Sequence, residues 1–96
     1  MIAVHVKPLA MLRDFLGIKE LSVELDEHSK VKNLLETLFR KFGNGFREKI
    51  MDPNSNQLKH HWVVMVNGNN INSLQKLDTS LKNGDEVLIF PPVAGG

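Results

Sequence analysis

The sequence predicts an α+β fold in which a mixed sheet of four to five strands packs on one long helix. Residues 2–7 alternate between apolar and polar side chains, which is typical of a half-buried strand. Residues 30–42 place their apolar side chains at helical spacing instead. Residues 85–89 form a short, mainly apolar run that indicates a further strand of the core. Because the helix has no other apolar face to pack on, its stripe must cover the sheet.

The composition describes one globular domain without thiol chemistry. The 96 residues suffice for a single core, and 12 Lys and Arg residues nearly balance 11 Asp and Glu residues. With no block of basic residues, nucleic-acid binding is not expected. The chain has no cysteine, which excludes disulfides, cysteine-ligated zinc and cysteine nucleophiles. No apolar run is long enough to span a membrane and the N-terminus lacks a signal-peptide pattern, so we expect a cytoplasmic protein that is monomeric alone.

The first quarter of the chain predicts two strands joined by a short helix. Residues 2–7 form the first strand, and Pro8 ends it. Residues 10–16 then form a short helical segment that Gly17 closes in the usual C-terminal position. Residues 19–25 alternate again and predict a second strand, paired antiparallel with the first.

The helix over residues 30–42 ends at Gly43, and its exposed side is charged. Its apolar stripe consists of Val31, Leu34, Leu35, Leu38, Phe39 and Phe42. The sequence pattern indicates the conformation of residues 44–61 less strongly. We expect mainly an exposed, mobile loop, in which Phe46, Ile50 and Met51 form a turn of helix that closes one end of the core.

The remaining elements complete the sheet. Residues 62–66 predict a strand, Asn67-Gly68 predicts a tight turn, and Ile71 is expected to begin a short return strand. Residues 73–81 show helical spacing, with inward-facing Leu74, Leu77 and Leu81. The last strand follows a turn over residues 83–85, and we expect it to lie parallel to the first strand at the centre of the sheet.

The C-terminal segment Phe90-Pro91-Pro92-Val93-Ala94-Gly95-Gly96 is the most informative part of the sequence. The two prolines favour extended backbone, so the segment can reach about 20 Å from the domain. Two glycines without Cβ atoms fit a slot too narrow for side chains, and they deliver an α-carboxylate. An ionised carboxylate is a poor electrophile, so chemistry there requires activation, such as conversion to an acyl-adenylate. A frayed, inert terminus is the alternative interpretation.

The run from Leu81 to Gly96, with its "GDEV", "FPPV" and final "GG", resembles the C-terminus of the MoaD/ThiS family. These ubiquitin-like β-grasp proteins include the small, sulfur-carrying subunit of molybdopterin synthase and the small archaeal modifier proteins. The resemblance implies a β-grasp domain over residues 1–90 and a flexible, extended tail over residues 91–96. The predicted order of strands and helix is that of a ubiquitin-like β-grasp.

The resemblance also implies a carrier rather than an enzyme. An ATP-dependent activating enzyme of the MoeB or ubiquitin-activating type would adenylate Gly96, and sulfur transfer would then give a C-terminal thiocarboxylate. That tail would enter the large subunit of molybdopterin synthase and donate its sulfur. Two alternatives stay open: conjugation of Gly96 to lysines of target proteins, and a plain protein-interaction domain.

A docking surface is expected where the tail leaves the domain. If Val87 and Ile89 face the helix, alternation places Phe90 on the open face of the sheet, and Leu9 could lie beside it. The alternative is that Phe90 belongs to the core. The family resemblance favours the exposed position, and an exposed aromatic next to apolar neighbours suits an interface hot spot. Ile71 is a further candidate for this patch.

Other motifs carry little chemistry. His60-His61 suggests a metal site, but adjacent residues of a strand point to opposite faces and no third ligand has fitting spacing, so we expect no metal. Gly43-Asn44-Gly45 follows a helix and lacks a third glycine, so it is not a nucleotide-binding fingerprint. We therefore expect no bound cofactor, and ATP is used by the activating partner.

Overall fold

The computed structural model describes residues 1–91, which form a five-stranded sheet in the order β2-β1-β5-β3-β4 with three α-helices. The strands are β1 (Ile2–Pro8), β2 (Leu21–Leu25), β3 (Val63–Val66), β4 (Asn69–Asn70) and β5 (Glu86–Phe90). The helices are α1 (Met11–Leu16), α2 (Val31–Phe42) and α3 (Asn44–Ile50). Within this part of the chain, no helix is both long and apolar enough to cross a membrane.

Both strand pairings that the sequence predicts are confirmed: β1 is antiparallel to β2 and parallel to β5. In addition, β5 is antiparallel to β3, a pairing that the sequence analysis did not predict. The first and last strands therefore lie side by side within the sheet. Gly17 ends α1 with a left-handed backbone, as predicted, and its N–H donates to the Arg13 carbonyl over 2.9 Å.

Helix α2 covers one face of the sheet. Its predicted stripe is buried at five of six positions, whereas Phe42, at the C-terminal end, is only partly buried. The facing strands contribute Val4 and Val6 from β1, and Val87 and Ile89 from β5, all 2% exposed or less. We call this the core face of the sheet and the opposite side the open face.

The expectation of a mobile loop is wrong for residues 44–50, because they form helix α3. Phe46 and Ile50 are fully buried, and the Phe46 ring meets the Phe39 ring edge-on at 5.2 Å between centroids. The predicted helical turn at the end of the core is thus confirmed and is longer than expected. Residues 51–58 then double back, with Met51 and Leu58 joined as a β-bridge.

Two expectations in the segment after β3 are also wrong. Ile71 does not begin a strand: it opens a 3₁₀ turn, Ile71–Ser73, after the two-residue strand β4. Leu74 is not inward-facing but 44% exposed, because a second 3₁₀ turn, Lys76–Asp78, interrupts the helical spacing. Leu81 is buried as predicted.

The predicted Asn67-Gly68 turn also fixes the start of β5. Asn67 adopts φ 50° and Gly68 φ 84°, as a tight hairpin of β3 and β4 requires. The Asn67 side-chain amide donates to Asp85 Oδ1 over 2.8 Å, and its Oδ1 accepts the Glu86 N–H over 2.9 Å. Asp85 Oδ2 accepts the Lys82 N–H over 2.8 Å. These bonds set the register of the strand that carries the tail.

Candidate functional site

The candidate site is the open face of β5, where the strand passes into the tail. Val87 and Ile89 are buried on the core face, so the alternation of the strand directs Leu88 and Phe90 to the open face. Both are half-buried. The sequence analysis placed Phe90 on the open face if Val87 and Ile89 faced the helix. Both do, so Phe90 lies on the open face and not in the core.

Neighbouring strands extend the apolar surface around Phe90. Val63 of β3 pairs with Phe90, and Met65 pairs with Leu88. On the other side, the Leu9 N–H donates to the Ile89 carbonyl over 2.9 Å, which places Leu9 one step beyond the Pro8–Ile89 pair. We call these five half-buried side chains the open-face patch: Leu9, Val63, Met65, Leu88 and Phe90.

One ion pair and one histidine–carboxylate contact border the patch on the β1 side. Lys7 pairs with Leu88 in the sheet register, and its Nζ lies 3.2 Å from Glu86 Oε2. His5 Nε2 lies 3.3 Å from Glu20 Oε2. An apolar centre with a polar rim is the composition of a protein-binding surface.

The structure brings together two of the three predicted patch residues. Phe90 and Leu9 adjoin each other, but Ile71 is only 1% exposed and belongs to the core, so its assignment to the patch is wrong. Sequence reasoning missed Val63, Met65 and Leu88. The alternation of β3 contained this information, since burying Val64 and Val66 leaves Val63 and Met65 on the other face.

The tail begins at the edge of the open-face patch. Pro91 follows Phe90 directly and is buried, although the family resemblance implies that the flexible tail begins at this residue. The other predicted tail and carrier residues lie outside the described residues: Pro92, Val93, Ala94, Gly95 and Gly96.

The histidine pair differs from its predicted geometry. His60 and His61 lie in a turn before β3 rather than on a strand, and His61 has a left-handed backbone with φ 70°. Their ring centroids are consequently 3.6 Å apart instead of pointing to opposite faces. In residues 1–91 no cluster of three His, Cys, Asp or Glu side chains is placed to hold a metal ion.

Comparisons with known proteins agree with this geometry. The model of the ThiS family matches residues 6–96. The chain is 31% identical to small archaeal modifier protein 3 of Haloferax volcanii over 87 residues, 91% of either chain. It is 35% identical to the sulfur carrier protein CysO of Mycobacterium tuberculosis over 81 residues, 83% of either chain.

Solved structures show the same architecture. The small archaeal modifier protein 1 of Methanosarcina acetivorans superposes with a TM-score of 0.84 at 35% identity, covering 100% of this chain and 98% of that one. A putative molybdopterin converting factor subunit 1 from Pyrococcus furiosus gives a TM-score of 0.78 at 30% identity, over 97% and 100% of the two chains. CysO in a complex with BexX from Amycolatopsis orientalis gives 0.76 at 26% identity, over 97% and 99%.

Fold and site together define a ubiquitin-like β-grasp protein of the sulfur-carrier and small-modifier class. Its relatives are small carriers and modifiers rather than catalysts, and some assemble with partner proteins. Within this class, the chain belongs to the ThiS family.

Because Phe90 lies in the open-face patch, its truncation should weaken partner binding more than it lowers folding stability. We expect Phe90→Ala to weaken binding to a partner protein that docks on this patch by about 2 kcal/mol or more, as truncation of an aromatic hot spot does. The matched core variant is Leu38→Ala, since Leu38 is 2% exposed. Its loss should lower the free energy of unfolding by roughly 2–5 kcal/mol, more than Phe90→Ala does.

Thermal unfolding of both variants and calorimetric titration of Phe90→Ala with the partner measure the two effects. If Phe90→Ala proves the more destabilising variant, or if the partner binds it as tightly as the unmodified protein, the open-face patch is not the docking surface.

Proposed function

We propose that the protein is a sulfur carrier that acts through the carboxylate of Gly96 and supplies sulfur for molybdopterin synthesis in the cytoplasm. One observation carries the proposal: a ThiS-family chain presents an apolar patch with a charged rim at the root of a tail that ends in Gly95-Gly96. The patch provides docking energy close to the tail, so that a partner can hold the domain while the tail enters its active site.

The chemistry divides between the carrier and its partners. A carboxylate oxygen of Gly96 attacks the α-phosphorus of ATP bound to an activating enzyme, and pyrophosphate leaves. A hydrosulfide or persulfide sulfur then attacks the acyl carbon and displaces AMP. Hydrosulfide gives the thiocarboxylate directly, whereas a persulfide gives an acyl disulfide, which a second thiol cleaves to the thiocarboxylate and a disulfide of the donor. The domain contributes docking through the open-face patch, and Gly95 allows passage through a narrow channel. ATP is bound by the partner, and the carrier itself is not an enzyme and is monomeric alone.

The proposed acceptor is a pterin precursor held by the large subunit of molybdopterin synthase. The Pyrococcus furiosus neighbour supports this choice by its name, and its chain matches almost end to end. In this proposal the activating enzyme and the large subunit bind the open-face patch in turn, because each must receive the same tail from the end of β5.

A second candidate is conjugation of Gly96 to lysine side chains of target proteins. The relatives named small archaeal modifier proteins favour it, since they match over nearly the whole chain. Both functions use the same activated glycine, and they differ in whether a sulfur donor or an amine attacks the adenylate. A plain interaction domain would use the patch and leave the tail inert.

Intact mass spectrometry tests the carrier proposal. After incubation with ATP, the activating enzyme and a sulfur donor, we expect one oxygen at the C-terminus to be replaced by sulfur. The product should react with a thiocarboxylate probe, and omission of ATP should leave the mass unchanged. Recovery of only the unmodified protein, under conditions in which the enzyme activates a known carrier, would contradict the proposal.

The same protein expressed in cells separates carrier from modifier. Conjugates of high mass that require Gly96, without detectable thiocarboxylate, would favour the modifier function. Thiocarboxylate without conjugates would favour the carrier function. Both products together would mean that one activated terminus serves two acceptors.

A further inference from the structure

A pocket of about 280 Å³ lies between the turn that precedes β3 and the two 3₁₀ turns. Its more deeply placed lining is apolar: Ile71 is buried, and Leu58, Trp62 and Leu77 are half-buried. None of these four side chains belongs to the open-face patch. We call this cavity the Trp62 pocket. Its volume is slightly below the usual range of ligand sites, which suits a small ligand rather than a dinucleotide.

The charged side chains on the rim of the Trp62 pocket are two lysines, and two histidines lie beside them. Lys59, His60, His61 and Lys76 line it and are exposed, and no carboxylate is among the lining residues. In the part of the chain from Met1 to Pro91, neither lysine has a carboxylate within ion-pair distance, whereas Lys7 does. A concave site with cations of one sign focuses an attractive potential on an anion.

The nearest acidic residue along the chain is already paired elsewhere. Asp78 follows the pocket residue Leu77, but its Oδ1 lies 3.1 Å from Lys32 Nζ and 3.9 Å from Lys30 Nζ. The hydrogen bond from Lys32, and then the charges of Lys32 and Lys30, lower the pKa of Asp78. Asp78 therefore stays ionised and paired with these two lysines, and it does not pair with Lys76.

The backbone holds the rim in unusual conformations. His61 and Lys76, on the two sides of the pocket, have φ of 70° and 54°, values that side-chain-bearing residues seldom adopt. The Gln75 N–H donates to Thr79 Oγ1 over 3.0 Å, which ties down the turn that carries Lys76. Such conformations persist where the surroundings enforce them, and they concentrate at ligand sites.

We propose that the Trp62 pocket binds a small organic phosphate with a flat, apolar body, of the size of a nucleoside monophosphate. The indole of Trp62 and the neighbouring aliphatic side chains suit the flat body. The cationic rim suits a phosphate dianion, and the side-chain amides of Gln57 and Asn72 add hydrogen-bond donors. The proposed site differs from a glycine-rich phosphate loop because side chains, not backbone N–H groups, would hold the anion.

Trp62 is the only tryptophan of the sequence, so its fluorescence reports directly on this pocket. Excitation at the red edge of indole absorption, where adenine absorbs little, allows titration of the full chain with AMP, adenosine and inorganic phosphate. We expect saturable quenching by AMP, at concentrations lower than either adenosine or phosphate requires. Added salt should weaken the AMP response, because the rim acts through charge.

Charge reversal at the rim provides the matched test. Lys59→Glu combined with Lys76→Glu should weaken AMP binding by roughly tenfold or more. Lys19→Glu, at an exposed lysine outside the pocket, makes the charge change of one rim substitution, such as Lys76→Glu alone, and should leave binding within about twofold. Circular dichroism of each variant checks that the fold is retained, and the single variant Lys76→Glu replaces the double one if it unfolds.

The proposal is overturned if AMP produces no saturable change, if it binds no better than phosphate alone, or if Lys19→Glu weakens binding as much as the rim variants do. A length-dependent preference for single-stranded RNA over AMP would also overturn it, since the pocket would then be part of a nucleic-acid surface. None of these outcomes involves Gly96, so they test the Trp62 pocket without testing the proposed carrier function.

Discussion

Deletion of Gly96 is expected to abolish adenylation of the protein while leaving its thermal unfolding unchanged. The deletion moves the terminal carboxylate back by one residue, or about 3.3 Å. Misplacement of a reacting group by 1 Å is enough to reduce a rate by about 10²-fold. Gly96 has no side chain and follows the end of β5 by six residues, so we expect its loss to cost little stability.

The measurement is ATP–pyrophosphate exchange with the activating enzyme, together with a thermal melt. Ala94→Gly is the control, because it changes the same segment while keeping its length and adding no Cβ. It should be activated at nearly the normal rate. Adenylation of the Gly96-deleted protein at that rate, or a melting temperature several degrees lower, would contradict the proposed role of the tail.

The sheet and the long helix were predictable because their side-chain periods are unambiguous. Val4 and Val6 repeat with period two, and Leu34, Leu35 and Leu38 with the helical period, so each element has a single way to bury its apolar side. The parallel pairing of β1 and β5 did not follow from periodicity, which says nothing about strand partners. It was predicted from the order of the elements and from the family resemblance.

The wrong predictions concern residues whose burial does not follow from the local apolar pattern of the sequence. Ile71 was assigned to the open-face patch on the assumption of a return strand, but strand β4 stops at Asn70. The 3₁₀ turn that follows directs Ile71 into the core. Leu74 fitted a helical period that the chain does not continue, so its side chain remains exposed. Short apolar stretches such as this one do not reveal their own conformation.

The two proposed binding sites also differ in how far the sequence predicts them. Phe90 was predictable because the apolar run of β5 leaves only two choices of face, and the family resemblance favoured one of them. The Trp62 pocket was not predictable, because its two walls are separated along the chain and depend on left-handed conformations at His61 and Lys76. The left-handed conformation is more common for His than for most side chains but not for Lys, so the sequence does not reveal both turns.

Phe46→Ala is expected to lower the free energy of unfolding by roughly 3–5 kcal/mol, as removal of a fully buried aromatic side chain does. Phe46 is 0% exposed and contacts the rings of Phe39 and Phe42 edge-on, with centroids 5.2 and 6.3 Å away. Truncation therefore leaves a cavity and removes two aromatic contacts as well. The loss is a large share of the roughly 5–15 kcal/mol that stabilises a typical domain.

Phe15→Ala is the matched control. Phe15 is 49% exposed and lies in α1, with Lys49 Nζ 4.6 Å from the centroid of its ring. Its truncation removes partly solvated surface and one exposed cation–π contact, so it should cost about 1 kcal/mol or less. Urea unfolding of both variants, compared at equal slope, measures the difference.

The comparison decides whether α3 belongs to the core. If the two variants lose similar stability, residues 44–50 act as the loop that the sequence suggested, and the burial of Phe46 contributes little. If Phe46→Ala is destabilised by several kcal/mol more, α3 closes the end of the core next to the C-terminus of α2, where Phe39 and Phe42 pack against it. We expect the second result, because a ring that is 0% exposed and packs on two rings of α2 cannot be removed without loss of packing.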